Sequence, residues 1–146
     1  MIDLRSFLNE LDEAGELLHI TDSVSPEFEI AAIAAQHDGE PLLFETLKGY
    51  PDWQLASGYV SQRSHFAQAL SCDVPELIPR LANALANPLE SPEIKTAPCQ
   101  EVIEPKVDLR RIPIPRYHPE DGGPYIPAGV AVITDPLAAY LNPRFL

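Results

Sequence analysis

The hydrophobic pattern along the first part of the chain switches between helical and extended spacing. Apolar residues at every third or fourth position after Asp3 predict a first helix, which Asp3 caps and Gly15 ends. Residues 16–21 then predict a short strand. Ser25 and Pro26 are typical of a helix start, because serine is a common cap and proline fits the first helical turn. We therefore expect a second helix from Ser25 onward.

Two further strands and two further helices are predicted before residue 88. Residues 41–47 form a mostly apolar run, and residues 53–60 form another after a turn. Ser61 is the predicted cap of a short helix. Pro75 begins a helix whose apolar side chains recur at helical spacing up to a stop at residues 87–88. Mixed helices and short strands with irregular connections predict an α/β or α+β fold, a small mixed sheet with flanking helices.

The pattern changes in the second half of the chain. Residues 89–98 are rich in Pro, Ser and Glu without periodicity, which indicates a connector over the surface. Beyond it, residues 99–103 and 128–134 predict short strands. The chain therefore divides into an N-terminal α/β domain at residues 1–88, a connector, and an incomplete second domain at residues 99–146.

Composition excludes several classes of protein. The 146 residues carry a formal net charge of −12, which opposes binding to nucleic acid or to anionic membranes. No apolar run approaches the roughly 20 residues that cross a bilayer, and the N-terminus lacks the features of a secretory signal. A cytoplasmic protein is expected. The two cysteines, Cys72 and Cys99, fit neither a disulfide framework nor a zinc motif, so reduced thiols are predicted.

No complete catalytic motif is visible from spacing alone. The four histidines lie far apart, which favours surface or hydrogen-bonded roles over metal ligation. Neighbouring carboxylates, Glu27 with Glu29 and Glu120 with Asp121, are interpreted as solvated groups rather than as a cation site. Three arginines fall close together: Arg110, Arg111 and Arg116. They either hold an anion or pair with nearby acids, and pairing is favoured in so acidic a chain.

The most unusual stretch comprises residues 112–126. Its alternating prolines hold an extended backbone, and Gly122 with Gly123 gives a turn where another surface or a ligand can approach closely. Two interpretations stay open: a rigid crossing between domains, or one wall of a cofactor or partner site.

Several segments, in order and at suitable separations, resemble the UbiD family of reversible decarboxylases. In the first half the similar segments are residues 3–8 with 15–17, then 29–33, then 41–50. The strongest likeness lies in the second half, in residues 107–109, 112–115, 121–126 and 132–136. Together they cover nearly the whole chain, yet only about the first third of a typical family member.

The resemblance implies a decarboxylase for aromatic or α,β-unsaturated acids that binds prenylated FMN through Mn²⁺ and K⁺ in a split β-barrel domain. Residues 99–146 would then supply the first strands of an incomplete FMN-binding barrel. Counting from Asp135 and Pro136, the family's metal-site asparagine falls at Asn142, the one site residue that carries across. The family's other metal ligands and its glutamate–arginine–glutamate network have no counterpart before the chain stops.

Three functional interpretations follow from this resemblance. The first is a subunit or truncated form of a UbiD-like decarboxylase that is inactive alone. Its expected partner is a protein that supplies the missing catalytic domain, or else further copies of itself in a homo-oligomer. The alternative is a non-catalytic association module that binds a full-length decarboxylase or another protein. The third is a truncated product without a selected role.

Overall fold

The computed structural model describes residues 3–89, 94–127, 129–134 and 141–145. Helices and strands alternate irregularly along the chain. Four helices are present in the described residues: α1 (Leu4–Glu13), α2 (Glu29–Gln36), α3 (Arg63–Ala69) and α4 (Leu77–Ala86). Five strands accompany them: β1 (Leu18–Val24), β2 (Leu42–Leu47), β3 (Leu55–Ser57), β4 (Val130–Thr134) and β5 (Leu141–Phe145).

Helix α1 forms as its sequence predicts. The Asp3 side chain accepts a hydrogen bond from the Ser6 backbone N–H at 2.9 Å, which satisfies one of the free donors at the helix start. Gly15, at φ +72°, ends the helix in the left-handed region. Phe7 and Leu11 face the interior and are buried with Leu17, and this apolar cluster anchors α1.

The core is a mixed three-stranded sheet in the order β1-β2-β3, with β1 parallel to β2 and β3 antiparallel to it. Phe44 on the central strand is fully buried and pairs with Ile20 on one side and Leu55 on the other. Burying a side chain of this size contributes roughly 1.5–3 kcal/mol to folding. The small mixed sheet with flanking helices that the sequence predicts is therefore confirmed.

The predicted start of the second helix is wrong by several residues. Helix α2 begins at Glu29, after Phe28, whose φ is +67°. The Pro26 carbonyl accepts a hydrogen bond from the Arg116 N–H, and the Phe28 N–H donates to the Arg116 carbonyl, both at 3.0 Å. Because this distant segment pairs with residues 26–28 as a short bridge, they stay out of the helix despite the favourable Ser25-Pro26 signal.

Helix α4 begins where a 3₁₀ turn at Val74–Glu76 ends, and the Asp73 N–H donates to the Glu76 carboxylate at 3.3 Å at the start of that turn. It ends before Asn87, as predicted. Leu77 is its one buried residue, whereas the other apolar side chains on the helix are exposed.

The second half of the chain differs from expectation at two places. No strand forms at residues 99–103, because Pro98 opens a 3₁₀ turn that the Gln100 side chain closes by accepting from the Ala97 N–H at 3.3 Å. A strand that was not predicted, β5, runs antiparallel to β4 and includes Pro143. Proline is compatible with a strand at the edge of a sheet. The predicted strand at residues 53–60 is shortened to β3.

Candidate functional site

A groove of about 510 Å³ with a mainly apolar lining lies among the described residues. One side comes from the segment around β3, and the other comes from residues 112–127. Side chains with rings line both walls: Trp53, Tyr59, Pro113, Pro115, Tyr117, Tyr125 and Pro127. The groove therefore has the size and apolar lining of a site for a small molecule or a polypeptide segment.

The proline-rich wall is fixed to the N-terminal part by backbone hydrogen bonds. The bridge between Glu27 and Arg116 holds its middle, and Pro113 and Pro115 on the groove side are buried. At the other end, the Tyr50 hydroxyl donates to the Arg110 carbonyl at 3.1 Å. The stretch at residues 112–126 is thus both a crossing and a wall of the groove.

Arg116 orders the turn that follows. Its Nη2 donates to the carbonyls of Pro119 and Asp121, each at 2.8 Å. The guanidinium also lies over the Phe28 ring, 5.5 Å from the centroid, at a distance where cation–π attraction operates. One side chain therefore ties the glycine-containing turn to the residue that precedes α2.

Two tyrosines close the far end of the groove. The rings of Tyr117 and Tyr125 lie 5.2 Å apart between centroids at 48°, which is a favourable aromatic geometry. Burial, with a smaller contribution from Tyr125, raises the pKa of the Tyr117 phenol above its usual value. A phenol is protonated at neutral pH even at its ordinary pKa, so Tyr117 brings a neutral hydroxyl group to the lining of the groove.

The arginine cluster does not form an anion site in the described structure. Arg110 makes a two-pronged contact with Asp108, with Nε to Oδ1 at 2.7 Å and Nη2 to Oδ2 at 2.8 Å. These bonds hold the pKa of the Asp108 carboxyl below its usual value. Arg111 pairs with Glu104 at 2.7 Å. The favoured interpretation, pairing with acids, is confirmed for both, and Arg116 bonds to carbonyl oxygens instead.

Three of the four histidines are hydrogen-bonded or buried, and His118 is exposed. His19 on β1 lies between Glu45 and Asp12, with Nδ1 2.6 Å from one carboxylate and Nε2 3.0 Å from the other. The hydrogen bond to Glu45, and to a smaller extent the one to Asp12, raises the pKa of His19. His37 contacts Glu40 at 2.9 Å. His65 is buried, with Glu16 3.9 Å away.

A metal site is not assembled by the described residues, among which no three His, Cys, Asp or Glu side chains come together. Glu29 instead bonds Lys48 at 3.0 Å, and the Asp121 carboxylate accepts from the His118 N–H at 2.8 Å. Asn142 lies in β5, where its backbone pairs with Ile133. The structure describes the backbone of this residue and not its side chain. The predicted metal role of Asn142 stays a prediction.

The groove lining does not fit a metal-bound flavin phosphate. Its residues include no lysine, arginine, aspartate or glutamate, whereas a phosphate and its metal need charged partners. Trp53 and Tyr59 in this groove were missed by sequence reasoning. Their aromatic character within the predicted strand at residues 53–60 was the available signal, but the partner wall was needed to show that they line a groove.

Comparison with known proteins identifies the family. A family model described as the 3-octaprenyl-4-hydroxybenzoate carboxy-lyase N-terminal domain matches residues 8–85. A second model, the Rift-related domain of the same carboxy-lyase, matches residues 92–142. The chain belongs to the UbiD family of decarboxylases. The resemblance seen in the sequence is thus confirmed, and the groove lies between segments of the two matched regions.

Individual relatives share the fold over nearly all of this chain. Anhydromevalonate phosphate decarboxylase of Methanothermobacter thermautotrophicus is 35% identical over 133 residues, which is 91% of this chain and 30% of that protein. The UbiD-class enzyme HmfF from Pelotomaculum thermopropionicum, solved in an evolved dimeric form with prFMN, has a TM-score of 0.89 and 37% identity. That match covers 97% of this chain and 34% of the HmfF chain.

A third relative is a complex of chains. Sedimentibacter hydroxybenzoicus vanillic acid decarboxylase, ShVdcCD, in an open form with truncated ShVdcD, has a TM-score of 0.83 and 27% identity. The match covers 98% of this chain and 35% of the ShVdcCD chain. The chain therefore spans about a third of the length of these relatives. No helix in the described part is long and apolar enough to cross a membrane.

Proposed function

We propose that this chain forms the N-terminal part of a cytoplasmic UbiD-class carboxy-lyase that acts on aromatic or α,β-unsaturated carboxylic acids. It turns over only with polypeptide that carries the remaining two thirds of the family pattern, on the same chain or on a second one. Family membership and the coverage of about a third of each relative support this proposal.

The observation that carries the proposal is the groove between the two matched regions. Its apolar, ring-lined walls leave Trp53 and Ile126 exposed, at 42% and 56% of their surface. Exposed apolar surface of this kind marks a site that other polypeptide or a ligand covers. The groove is therefore the place where the rest of the enzyme would pack against this chain.

The ribbon β4-β5 supports the same conclusion. It has only two strands among the described residues, and an isolated two-stranded ribbon is marginally stable in water. Further strands from the completing polypeptide would extend it into the split barrel. In this proposal the α/β domain at residues 1–88, the connector at residues 89–98 and the barrel segment at residues 99–146 keep the division expected from the sequence.

The cofactor belongs to the completed protein. The relative HmfF was solved with prFMN in its evolved dimeric form and, in a second structure, with FMN, and we extend prenylated FMN, Mn²⁺ and K⁺ to this chain as part of the proposal. Because the groove lacks charged side chains, the phosphate and metal partners would come mainly from the completing polypeptide. Asn142 is the residue that this chain would contribute to the metal.

The test is reconstitution. The chain is incubated with prenylated FMN, Mn²⁺ and K⁺, with and without a polypeptide carrying the missing two thirds, and carbon dioxide release from cinnamate-like and hydroxybenzoate-like acids is measured. We expect release only from the mixture. Asn142→Ala should abolish it, whereas Asn9→Ala, on the exposed side of α1, should leave it unchanged. Release by the chain alone, or by neither preparation, would overturn the proposal.

A further inference from the structure

A polar cleft of about 530 Å³ lies where three turns of the N-terminal part meet. It is lined by the turn between α1 and β1, the turn between α2 and β2, and the start of α3. The Gln62 Nε2 donates to the Gly39 carbonyl at 2.9 Å, which holds the second turn against α3. The cleft shares no lining residue with the ring-lined groove and is therefore a separate feature of the described structure.

His65 in this cleft is buried without hydrogen-bond partners in the described part of the chain. Only 6% of its side chain is exposed, and its buried Nδ1 has no partner there. Its Nε2 lies 3.9 Å from a carboxylate oxygen of Glu16, which is longer than a hydrogen bond. Buried polar groups in proteins are nearly always hydrogen-bonded. The ring edge that faces Glu16 therefore lacks a partner that a ligand in the cleft can supply.

The other ionisable groups of the cleft are both carboxylates. Glu16 and Glu40 are the only acidic residues in its lining, which contains no lysine or arginine. Their side chains are 51% and 58% exposed, so both are open to a ligand. Nδ1 of His37 contacts Oε2 of Glu40 at 2.9 Å, and Oε1 accepts no hydrogen bond from the described residues. The charge of the cleft therefore favours a cation.

An organic cation suits these groups better than a metal ion. No three His, Cys, Asp or Glu side chains of the described residues converge as metal ligands. A primary ammonium group has three N–H donors that point in different directions, so each can reach a separate acceptor. Its nitrogen can lie about 2.8 Å from both Oε2 of Glu16 and Nε2 of His65, because these atoms are 3.9 Å apart. Nε2 accepts when the neutral ring carries its proton on Nδ1.

We propose that this cleft binds a primary aliphatic ammonium group through the carboxylates of Glu16 and Glu40 and through Nε2 of His65. The group belongs either to a free amine or to a lysine side chain of another polypeptide, since the recognising chemistry is the same. The inference rests on the geometry of the cleft and not on decarboxylase activity. Because the contacts are few and both carboxylates are half exposed, the expected Kd is about 1–10 mM.

The test is a titration of the 146-residue chain with propylammonium chloride, followed by amide NMR spectra. Sodium chloride at equal ionic strength and propanol serve as controls for charge screening and for apolar binding. We expect saturable shifts at residues 15–18, 39–41 and 62–65, and none of comparable size with either control. Shifts spread evenly over the acidic surface would overturn the proposal.

Two pairs of substitutions separate the cleft from the general negative charge. Glu16→Gln combined with Glu40→Gln should weaken binding about tenfold, because both charged contacts are lost. The matched control is Glu101→Gln combined with Glu120→Gln, which changes the net charge equally at two exposed residues outside the cleft. It should leave the Kd within about twofold. Equal weakening by the two pairs would overturn the proposal.

His65→Phe tests the buried ring, because phenylalanine keeps a ring of similar size without the nitrogen atoms. It should weaken propylammonium binding about fivefold through loss of one hydrogen bond, and an unchanged Kd would contradict the role of Nε2. Circular dichroism verifies that this variant folds. If it does not, Glu16→Gln alone, at a half-exposed residue, takes its place and should weaken binding about threefold.

A lysine peptide distinguishes the two sources of the ammonium group. The peptide acetyl-Gly-Lys-Gly-amide is titrated under the same conditions as propylammonium. Tighter binding of the peptide would assign the cleft to a lysine of another polypeptide, whereas equal or weaker binding would assign it to a free amine. Absence of saturable binding by both probes would overturn the proposal.

Discussion

Replacing Arg116 with alanine should loosen the proline-rich wall of the groove. The change removes two hydrogen bonds from a charged donor to the carbonyls of Pro119 and Asp121, together with the contact over the Phe28 ring. Hydrogen bonds from charged groups contribute about 1.5–3 kcal/mol each, and a partly exposed cation–π contact about 0.5–1 kcal/mol.

The two contributions do not simply add, because one side chain makes all the contacts. The buried Nε atom of Arg116 also has no partner within the described residues, so its removal recovers part of the loss. We expect a net decrease of about 2–4 kcal/mol in the free energy of unfolding. The backbone pairing of residue 116 with Pro26 and Phe28 is retained in the variant.

Urea denaturation measures the decrease, and amide hydrogen exchange localises it. Exchange should accelerate at residues 113–125 more than in the sheet. The matched control is Arg111→Ala, which breaks an exposed ion pair with Glu104 and should cost at most about 1 kcal/mol. If Arg116→Ala were no more destabilising than Arg111→Ala, the inference that Arg116 fixes this wall would be refuted.

Two further predictions concern the sheet and the edge of the groove. Hydrogen bonds to two carboxylates raise the pKa of His19 above its ordinary value of 6.5. These contacts therefore stabilise the fold fully when the pH is below 6.5, and the stabilisation is lost as the pH rises through the pKa of the folded state. His19→Gln should lower the unfolding midpoint more at pH 5.5 than at pH 9. His118→Gln, at an exposed residue, serves as the control, and an equal effect of His19→Gln at both pH values would contradict the prediction. Gly58 and Gly15 both have positive φ, but a Cβ at Gly58 would lie 2.4 Å from the Glu40 carbonyl oxygen, whereas nothing lies within 4 Å at Gly15. By thermal melts, Gly15→Ala should cost about 1–2 kcal/mol and Gly58→Ala clearly more, and similar costs would show that the close contact does not matter.

Local signals in the sequence were sufficient for the first helix and the central sheet. The Asp3 cap and Gly15 operate within one helix, and the apolar run around Phe44 is typical of a buried strand. Phe44 is buried in the sheet as that run predicts. In these segments the local preference agrees with the tertiary packing, so the pattern alone was enough.

The error at the start of α2 arises where distant segments meet. The start of α2 is set by the backbone hydrogen bonds that join Arg116 to Pro26 and Phe28, one donated and one accepted by Arg116, and no window around Ser25 contains that information. The strand β5 was missed because Pro143 argues against a strand locally, although an edge position tolerates it.

The candidate site was likewise predicted in part from local sequence signals and in part missed because it depends on contacts between distant segments. The stretch at residues 112–126 was identified as a possible wall from its prolines and glycines, but Trp53 and Tyr59 reach the groove only because β3 pairs with β2. The close spacing of Arg110 and Arg116 in the sequence suggested a shared role. In the structure the first pairs with Asp108 while the second orders a turn. Sequence proximity therefore did not reveal their separate functions.

Native mass spectrometry of the chain purified from its own host tests the proposed decarboxylase role most directly. We predict a species that contains polypeptide carrying the remaining two thirds of the family pattern, on the same chain or on a second one, together with the mass of a prenylated flavin. A species made only of copies of this 146-residue chain, without flavin, would contradict that role.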